Sequence, residues 1–290
     1  MDDLVRYSKV SRVLHLLRYD KIGRILYLVL AKVGVWLGCV LRMLPAPTRI
    51  FAVASTRLVR RLDYSKQRIL LTVNSDIELR IRLHSCAKEP ETVAWLEALE
   101  HNDVYYDIGA NVGAYALLAA VGLKRQVHVY AFEPGHATYA HLCENILLNN
   151  CADLVCALPF ALCDATAIHH FELTNLDPGS ALHTLHPTSA SVRNSALSSK
   201  IAAARLDDVR KWFNLPQPSL IKIDVDGSEL NVIKGAAMTL ESVELQSVLV
   251  ECNPSDATAV EVFLADRGLV LSARHPQGDG ENIIFRRKLN

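Results

Sequence analysis

Two carboxylates stand close together in the string IKIDVDGSE, at Asp224 and Asp226, and a third follows at Glu229. The apolar residues before them predict a buried strand, and open α/β sheets place their chemistry at the C-terminal ends of such strands. Crowded carboxylates raise one another's pKa, which suits one of them to act as a general base near neutral pH. Glu229 falls in the first turn of the next predicted helix, where the helix dipole favours a structural role. Asp224 and Asp226 are therefore the candidate catalytic residues.

A glycine turn, DIGANVG, lies earlier in the chain where a predicted strand meets a predicted helix. Gly109 and Gly113 allow a tight turn and a close approach of a ligand to the backbone, and the helix N-terminus offers free N–H groups. Ala110 and Asn111 stand where a dinucleotide-binding turn has its second glycine, and Asp107 places a carboxylate where a pyrophosphate would lie. The turn therefore favours a ligand with an ammonium group, such as a methionine moiety.

Glu133, in the string YAFEP, ends the next predicted strand and is followed by Pro134. A carboxylate about twenty residues after a glycine turn typically accepts hydrogen bonds from two ribose hydroxyls, although it can also cap the next helix. In the string FALCD, Asp164 is placed to accept from an adenine amino group and a backbone N–H near Ala161 to meet a ring nitrogen. Asp is also common in turns, so a turn-forming role for Asp164 is an equal alternative. Together with the glycine turn, these residues predict a nucleoside-type cofactor.

Strands and helices alternate regularly from Val104 onward, which predicts an α/β fold. Strands buried on both faces and joined by helices imply a parallel sheet, and a closing pair without a helix implies one antiparallel strand. This is the plan of the class I methyltransferases, a Rossmann-like, seven-stranded, mostly parallel sheet. The predicted strands cover 104–108, 127–132, 154–162, 220–225, 247–252, 269–273 and 282–286, and the predicted helices cover 114–122, 137–149, the segment ending at 240, and 257–267.

Three further segments lie outside this alternation. Residues 69–83 alternate between apolar and polar side chains, which predicts one or two exposed-face strands and favours a hairpin. Residues 92–99 are predicted to form a short helix. Residues 174–200 are rich in Ser, Ala, Thr, His and Pro. A long polar excursion of this kind is typical either of a substrate-side lid or of a disordered connector.

The chain has 31 basic and 31 acidic residues, but the first 68 residues hold fourteen Lys and Arg against four acidic residues. Residues 25–44 are almost wholly apolar, and at about 100° per residue Arg18, Lys21, Arg24, Lys32 and Arg42 share an arc of roughly 120° of a helix. This pattern predicts a helical extension that lies on an anionic membrane surface through residues 18–44. The alternatives are a helix packed on the catalytic domain and a membrane span.

Nucleic acid is not expected as a partner, because no nucleic-acid-binding signature accompanies the basic residues. The seven cysteines form no C-x-x-C pair, which indicates free thiols in a reducing compartment and no metal site built on cysteine. We therefore expect a cytoplasmic protein, peripheral at the inner face of the membrane if the helix binds lipid.

Taken in order, these motifs closely resemble the FkbM-type methyltransferases. The matching strings are DIGANVG, VYAFEPGHATYAHLCENILLNN, ARLDDV, IKIDVDGSELNVIKGA and VLVEC, within 103–252. The resemblance implies S-adenosyl-L-methionine as cofactor and O-methylation of a sugar or other hydroxylated metabolite. It implies that Asp224 faces the reaction centre and that the cofactor is held by Asp107, Gly109, Asn111, Gly113 and Glu133. The family usually has Glu where this chain has Asp226. Asp is one methylene shorter than Glu, so the side chain of Asp226 has a shorter reach.

The expected organisation is a basic amphipathic helical extension over 1–63 and a Rossmann-like methyltransferase domain over 64–290, with the cofactor core at 103–252. The expected activity is methyl transfer to a small-molecule or glycan acceptor, with a carboxylate of the strand-four loop as base and no metal. One rival makes Asp224, Asp226 and Glu251 ligands of a Mg²⁺ ion. Other rivals are an NAD-dependent oxidoreductase and a non-catalytic cofactor-binding protein associated with a membrane.

Overall fold

The computed structural model describes residues 21–48, 58–187, 197–278 and 280–288. The chain divides into two compact units, Met1–Arg57 and Leu58–Asn290. The described part of the first unit contains the helix α1, Lys21–Met43. Among the described residues, no helix combines the length and the apolar character that crossing a membrane requires.

A seven-stranded sheet forms the centre of the second unit. In chain order its strands are β3 (Val104–Ile108), β4 (His128–Phe132), β5 (Val155–Leu158), β10 (Leu220–Ile223), β11 (Ser247–Cys252), β12 (Leu269–Gln277) and β13 (Gly280–Arg287). Their spatial order is β12-β13-β11-β10-β3-β4-β5. All neighbouring pairs from β5 to β11 are parallel, whereas β13 runs antiparallel between β11 and β12. The predicted class I methyltransferase fold is confirmed.

Helices pack on both faces of this sheet because its strands carry apolar side chains on both sides. Tyr105 belongs to one core, with Leu117 and Leu142, and its neighbour Tyr106 to the other, with Val232 and Val260. The helices are α2 (Asp76–Arg80), α3 (Ser85–Lys88), α4 (Pro90–Leu96), α5 (Ala114–Leu117, continued by a π turn over Leu118–Gly122), α6 (His136–Leu148), α7 (Leu206–Phe213), α8 (Glu229–Gly235), α9 (Ala237–Glu241) and α10 (Pro254–Ala265).

The hairpin predicted over 69–83 is wrong in its second half. Strand β2 (Leu70–Val73) pairs antiparallel with β1 (Leu58–Arg61), and the chain after β2 turns into the helix α2. The reason is a capping box: Ser75 Oγ accepts from the N–H of Glu78, and the Glu78 carboxylate accepts from the N–H of Ser75, each at 3.1 Å. Because β1 belongs to the second unit, the division at Leu58 precedes the predicted boundary between 63 and 64.

The strand predicted over 154–162 is interrupted, and its second part joins another sheet. After β5 the chain forms β6 (Ala161–Leu162), which pairs with a later strand rather than with β4. The second sheet has the order β6-β9-β7-β8, with β7 at Ala167–Glu172, β8 at Thr184–Pro187 and β9 at Ser198–Ala204. Each described part of the excursion predicted over 174–200 thus includes strand residues, at 184–187 and from 198 onward, and its middle, 188–196, lies outside the described residues.

Candidate active site

A cavity of about 130 Å³ opens at the C-terminal ends of the central strands. Parallel strands bring these ends to one edge of the sheet, so residues far apart in sequence meet there. A smaller cavity of about 40 Å³ shares Gly109 and Pro134 with it and is also lined by Phe160 and Ala161. The strand-end residues lining the larger cavity include Gly109, Asn111, Glu133, Asp224, Asp226 and Glu251.

The glycine turn packs directly against the loop that follows β10. Gly109 has φ +82°, and a Cβ added there would lie 1.8 Å from the carbonyl oxygen of Asp224. The N–H groups of Gly109 and Ala110 donate to the carbonyl of Phe132, at 3.0 and 2.9 Å. Gly109 is therefore required by the close approach of a neighbouring loop, in addition to any approach of a ligand.

Glu133 fixes the turn after β4 against the glycine turn. Its carboxylate accepts from the N–H of Asn111 at 3.0 Å and from the N–H of Gly135 at 2.7 Å. The side chain is buried, and burial raises its pKa to about 7 although both N–H groups favour the ionised form. With those of Gly109 and Ala110, three of the N–H groups predicted to be free at the glycine turn are thus already occupied. Glu133 lines the larger cavity.

Asp107 is buried and does not line either cavity. Neither of its carboxylate oxygens has a hydrogen-bond partner among the described residues. Burial raises its pKa to about 6, against the attraction of Lys222, which is its register partner on β10. A buried carboxylate without a donor is a polar group that a cation would satisfy, and the contact of Asp107 with an ammonium group of a ligand stays a prediction.

The carboxylate of Asp224 is held by a buried lysine. Lys222 is 1% exposed, its Nζ lies 2.6 Å from Asp224 Oδ2, and it also lies 5.1 Å from the centroid of the Tyr115 ring. Burial acts to raise the pKa of Asp224, but the ammonium of Lys222 outweighs it and the pKa is lowered. The expectation that crowding raises the pKa is therefore wrong for Asp224, because the buried ammonium of Lys222 lies beside it.

Asp226 and Glu229 hold the loop after β10 in different ways. Asp226 Oδ2 accepts from the N–H of Leu182 at 2.7 Å, and burial raises its pKa, with a further rise from Asp224. Glu229 Oε1 accepts from the N–H groups of Gly227 at 2.8 Å and Val225 at 3.3 Å. The structure thus gives Glu229 the structural role that its position predicted, and the pKa of Asp226 is raised mainly by burial and further by the charge of Asp224.

The carboxylates do not form a three-ligand metal site in the part of the chain that the structure describes. No group of three His, Cys, Asp or Glu side chains there is arranged to hold a metal ion. Asp224 and Asp226 have separate donors, Lys222 and the N–H of Leu182. The seven cysteines are all free. The magnesium alternative stays a prediction, because Asp224, Asp226 and Glu251 line one cavity and Mg²⁺ is often held by only one or two carboxylates with water.

Of three further residues predicted to hold the cofactor, Pro134 together with Ala161 and Asp164 on the adenine side, the structure brings two to the cavities. Pro134 lines both cavities and Ala161 lines the smaller one. Asp164 is exposed in the bend after β6 and lines neither cavity. The turn-forming role that the sequence left open for Asp164 describes this position, and a contact with adenine stays a prediction.

Residues 178–182, here called the strap, belong to the segment 174–200 that was predicted to be either a substrate-side lid or a disordered connector, and their contacts with the site were not predicted. Asn111 Nδ2 donates to the carbonyl of Ser180 at 2.9 Å, and Arg82 Nε donates to the carbonyl of Gly179 at 2.8 Å. With the contact from Leu182 to Asp226, the strap is tied to the glycine turn and to the loop after β10. The Pro178–Gly179 pair predicts a turn, but it does not predict which residues the turn contacts.

Lys222 was also missed, although the sequence offered a signal for it. It stands within the strand LIKI, whose residues are all buried. A lysine is almost never fully buried without a partner, so a lysine in such a strand indicates a buried acid nearby. Arg82 and Lys88 also line the cavity, but local sequence gives no reason to group them with the site; Glu251, which the magnesium alternative had placed beside Asp224 and Asp226, lines it as well.

Comparisons with known proteins agree with this geometry. A family model described as the methyltransferase FkbM domain matches residues 107–271. The hexuronic acid methyltransferase AglP of Haloferax volcanii is 28% identical over 194 residues, covering 67% of this chain and 74% of that protein. The methyltransferase sdnD of Sordaria araneosa is 30% identical over 199 residues, covering 59% of this chain and 74% of that protein.

Among solved structures, the methyltransferase FkbM of Methylobacillus flagellatus KT is similar, with a TM-score of 0.48 and 16% identity. The match covers 65% of this chain and 44% of that one, so this chain spans less than half of its length. The fold assignment rests on the strand order given above. The chain belongs to the FkbM methyltransferase domain family, and it is therefore a methyltransferase whose family implies the use of S-adenosylmethionine.

Proposed function

We propose that the protein transfers a methyl group from S-adenosyl-L-methionine to a hydroxyl oxygen of a sugar, a glycolipid or another hydroxylated metabolite. The observation that carries the proposal is the meeting of the glycine turn, Glu133 and the carboxylates after β10 around one cavity. A relative that is named for hexuronic acid supports an acceptor of the sugar class. Carboxylates beside a cofactor turn suit the removal of a proton from a hydroxyl group.

We assign the cofactor to the wall of the cavity formed by the ends of β3 and β4. Glu133 accepts from the ribose hydroxyls, and Asp107 compensates the charge of the methionine ammonium group. When bound, S-adenosylmethionine supplies a methyl group that its sulfonium already activates for displacement. The full set predicted to hold the cofactor is Asp107, Gly109, Ala110, Asn111, Gly113, Glu133, Pro134, Ala161 and Asp164. Five of these residues line one of the two cavities: Gly109, Asn111, Glu133, Pro134 and Ala161.

We assign the acceptor to the side of the cavity that carries Asp224 and Asp226. The ammonium of Lys222 keeps Asp224 ionised, so Asp224 can accept a hydrogen bond from the acceptor and orient it. Asp226 accepts a hydrogen bond from the N–H of Leu182 in the strap. The strap thereby connects the acceptor side of the cavity to the cofactor side. Positioning of this kind supplies much of the rate when the methyl donor is already activated.

We also propose that α1 lies on an anionic membrane surface. Val35, Trp36 and Met43 are 69%, 64% and 86% exposed, and Lys32 and Arg42 are exposed on the same helix. A helix with exposed apolar residues and a cationic face suits the headgroup region of a membrane. A membrane-bound acceptor such as a glycolipid would then be methylated at the surface where it resides.

The acceptor class is tested by methyl transfer from tritiated S-adenosylmethionine into fractions of a cell extract from which the protein has been removed. We expect label in the carbohydrate or glycolipid fraction and a mass increase of one methyl group in the product. The Glu133→Ala variant serves as the control without a working cofactor site. Label confined to protein, or to nucleic acid, would contradict the sugar acceptor.

A further inference from the structure

Two of the three carboxylates on the acceptor side of the cavity already have strong hydrogen-bond donors. Asp224 is paired with the buried ammonium of Lys222 at 2.6 Å. Asp226 accepts from the N–H of Leu182 at 2.7 Å, in a contact that also holds the strap in place. A carboxylate that is committed to a cation or to a backbone donor is a weak proton acceptor, because protonation would break that contact.

Glu251 is the third carboxylate, and it has no such donor. It lies near the end of β11 and lines the same cavity as Asp224 and Asp226. The pairing of Ile223 with Val250 places Asp224 and Glu251 next to each other across β10 and β11. Among the described residues, no side chain or N–H group donates a hydrogen bond to the Glu251 carboxylate, which is half-buried.

The position of Glu251 is fixed from both sides of its strand. Its backbone pairs with Asn282 of β13 on one side, and β10 lies on the other. A base on a central strand is held more rigidly than one on a loop. The carboxylate therefore reaches the cavity from the sheet, whereas Asp226 reaches it from a turn with a left-handed backbone, φ +58°.

We infer that Glu251 is the general base of the methyl transfer, and this inference rests on the proposed hydroxyl acceptor. The acceptor O–H bond breaks, its proton passes to a carboxylate oxygen of Glu251, and its electron pair remains on oxygen. That oxygen forms the new bond to the methyl carbon, and the electron pair of the broken carbon–sulfur bond leaves with sulfur. Glu251 then returns the proton to water.

The charges around Glu251 suit this role. Burial raises its pKa to about 8, and the negative charge of Asp224 adds to the rise. Lys222 acts in the opposite direction, Glu89 raises the pKa further, and Lys88 lowers it. A base is most efficient when its pKa lies near the working pH. Glu251 meets this condition near neutral pH, whereas the lowered pKa of Asp224 does not.

The first test is a titration that needs no acceptor. The full-length protein, with isotope-labelled glutamate carboxyl carbons, is titrated by NMR with S-adenosylhomocysteine bound. We expect one glutamate resonance to titrate at about 8 and to be absent from the Glu251→Gln variant. The affinity of the Glu251→Gln variant for S-adenosylmethionine, measured by calorimetry, should stay within about threefold of the wild-type value. A Glu251 resonance that titrates at the ordinary value of about 4.3 would overturn the proposal, as would a tenfold loss of cofactor affinity.

The second test uses D-glucuronic acid and its methyl glycoside as probe acceptors. We expect the wild-type rate to rise with pH up to about 8. In Glu251→Gln, kcat should fall by roughly 10²- to 10⁴-fold and lose this pH dependence, and Glu251→Asp should recover part of the rate. Glu244→Gln makes the same change at an exposed position outside the cavity and should behave as wild type. An unchanged pH limb in Glu251→Gln would overturn the proposal.

The two tests separate failure of the inference from failure of the proposed function. If the wild-type protein methylates neither probe, the acceptor class is in question and the NMR titration still decides whether Glu251 holds a proton near neutral pH. If the probes are methylated and the Glu251 variants behave as wild type, the function stands and the base lies elsewhere.

Discussion

The ammonium of Lys222 lies 2.6 Å from the carboxylate of Asp224, and Lys222 is 1% exposed. On the neighbouring strand β3, Asp107 pairs in register with Lys222. The charge of Lys222 thus acts to lower the pKa of both acids, although burial still leaves the pKa of Asp107 raised. The pair explains how carboxylates can crowd around a cavity without all of them becoming protonated.

The first prediction concerns this cation. Lys222→Met leaves Asp107 and Asp224 without their charge partner, so both folded-state pKa values should rise. A raised carboxyl pKa removes stability as pH rises from the unfolded value toward the folded one. We therefore expect a loss of about 3–5 kcal/mol at pH 8, and a smaller loss at pH 5, in urea denaturation. Lys234→Met, at an exposed position, is the matched control. An equal loss at both pH values would indicate lost packing instead of lost charge.

The second prediction concerns Glu133 and the cofactor. Glu133→Ala should weaken the binding of S-adenosylmethionine by about 1.5–3 kcal/mol, or roughly 10- to 150-fold, because charge-assisted hydrogen bonds to the ribose are lost. Since the pKa of Glu133 is raised to about 7, the affinity of the wild-type protein should fall as pH drops through that value. Glu133→Gln should abolish this pH dependence. Calorimetric titration measures both effects, and unchanged affinity in Glu133→Ala would remove the cofactor assignment.

The third prediction separates binding from turnover at Asp224. Asp224→Asn should leave cofactor affinity within a few-fold while kcat falls by roughly 10²-fold, because the acceptor loses its charged orienting group. Lys222 also loses its partner, so its charge acts more strongly on Glu251 and lowers the pKa of that base. The rising limb of the pH–rate profile should therefore move to lower pH. A loss of cofactor affinity with full turnover at saturation would make Asp224 a binding residue.

The fourth prediction tests the close approach of the two strand-end loops. In Gly109→Ala the new Cβ would meet the carbonyl oxygen of Asp224 at 1.8 Å, at a φ of +82°. Gly278 also has a positive φ, +56°, but a Cβ there meets nothing within 4 Å. Gly278→Ala should therefore cost only about 1–2 kcal/mol for the left-handed backbone, and Gly109→Ala clearly more, with weaker cofactor binding. Equal costs in thermal denaturation would show that the loops do not touch in solution.

The fifth prediction concerns the N-terminal helix. Binding to vesicles with anionic lipid should fall as salt rises, because each Lys or Arg near the surface contributes about 1 kcal/mol that salt screens. Changing Arg18, Lys21 and Arg24 to Gln should release much of the protein from these vesicles without changing its affinity for S-adenosylmethionine. Sedimentation at low and high salt measures this. Protein that remains with the membrane in high salt, or that never binds it, contradicts a peripheral helix.

The sequence by itself determined the alternation of the central strands and helices and the position of the glycine turn. The helix and strand periods are local properties, and the central strands are buried on both faces, so their apolar runs can be recognised without a structure. The glycine turn and Glu133 could be predicted because backbone geometry and strand ends restrict which residues stand there. Glu229 belongs to the same group, since its role depends on a helix only a few residues away.

Only the tertiary structure decided which carboxylates are free to accept a proton. The pKa of a carboxyl group depends on charges within a few ångströms and on burial, and those neighbours come from distant parts of the chain. Lys222 reaches Asp224 within one motif, but Glu251 joins them only because β11 lies beside β10. The sequence likewise did not determine which residues the strap contacts or which strand pairs with β2. The alternation of apolar and polar side chains indicates a strand but does not identify its partner. Local sequence therefore specifies the elements and their turns, and the distances between those elements set the chemistry of the site.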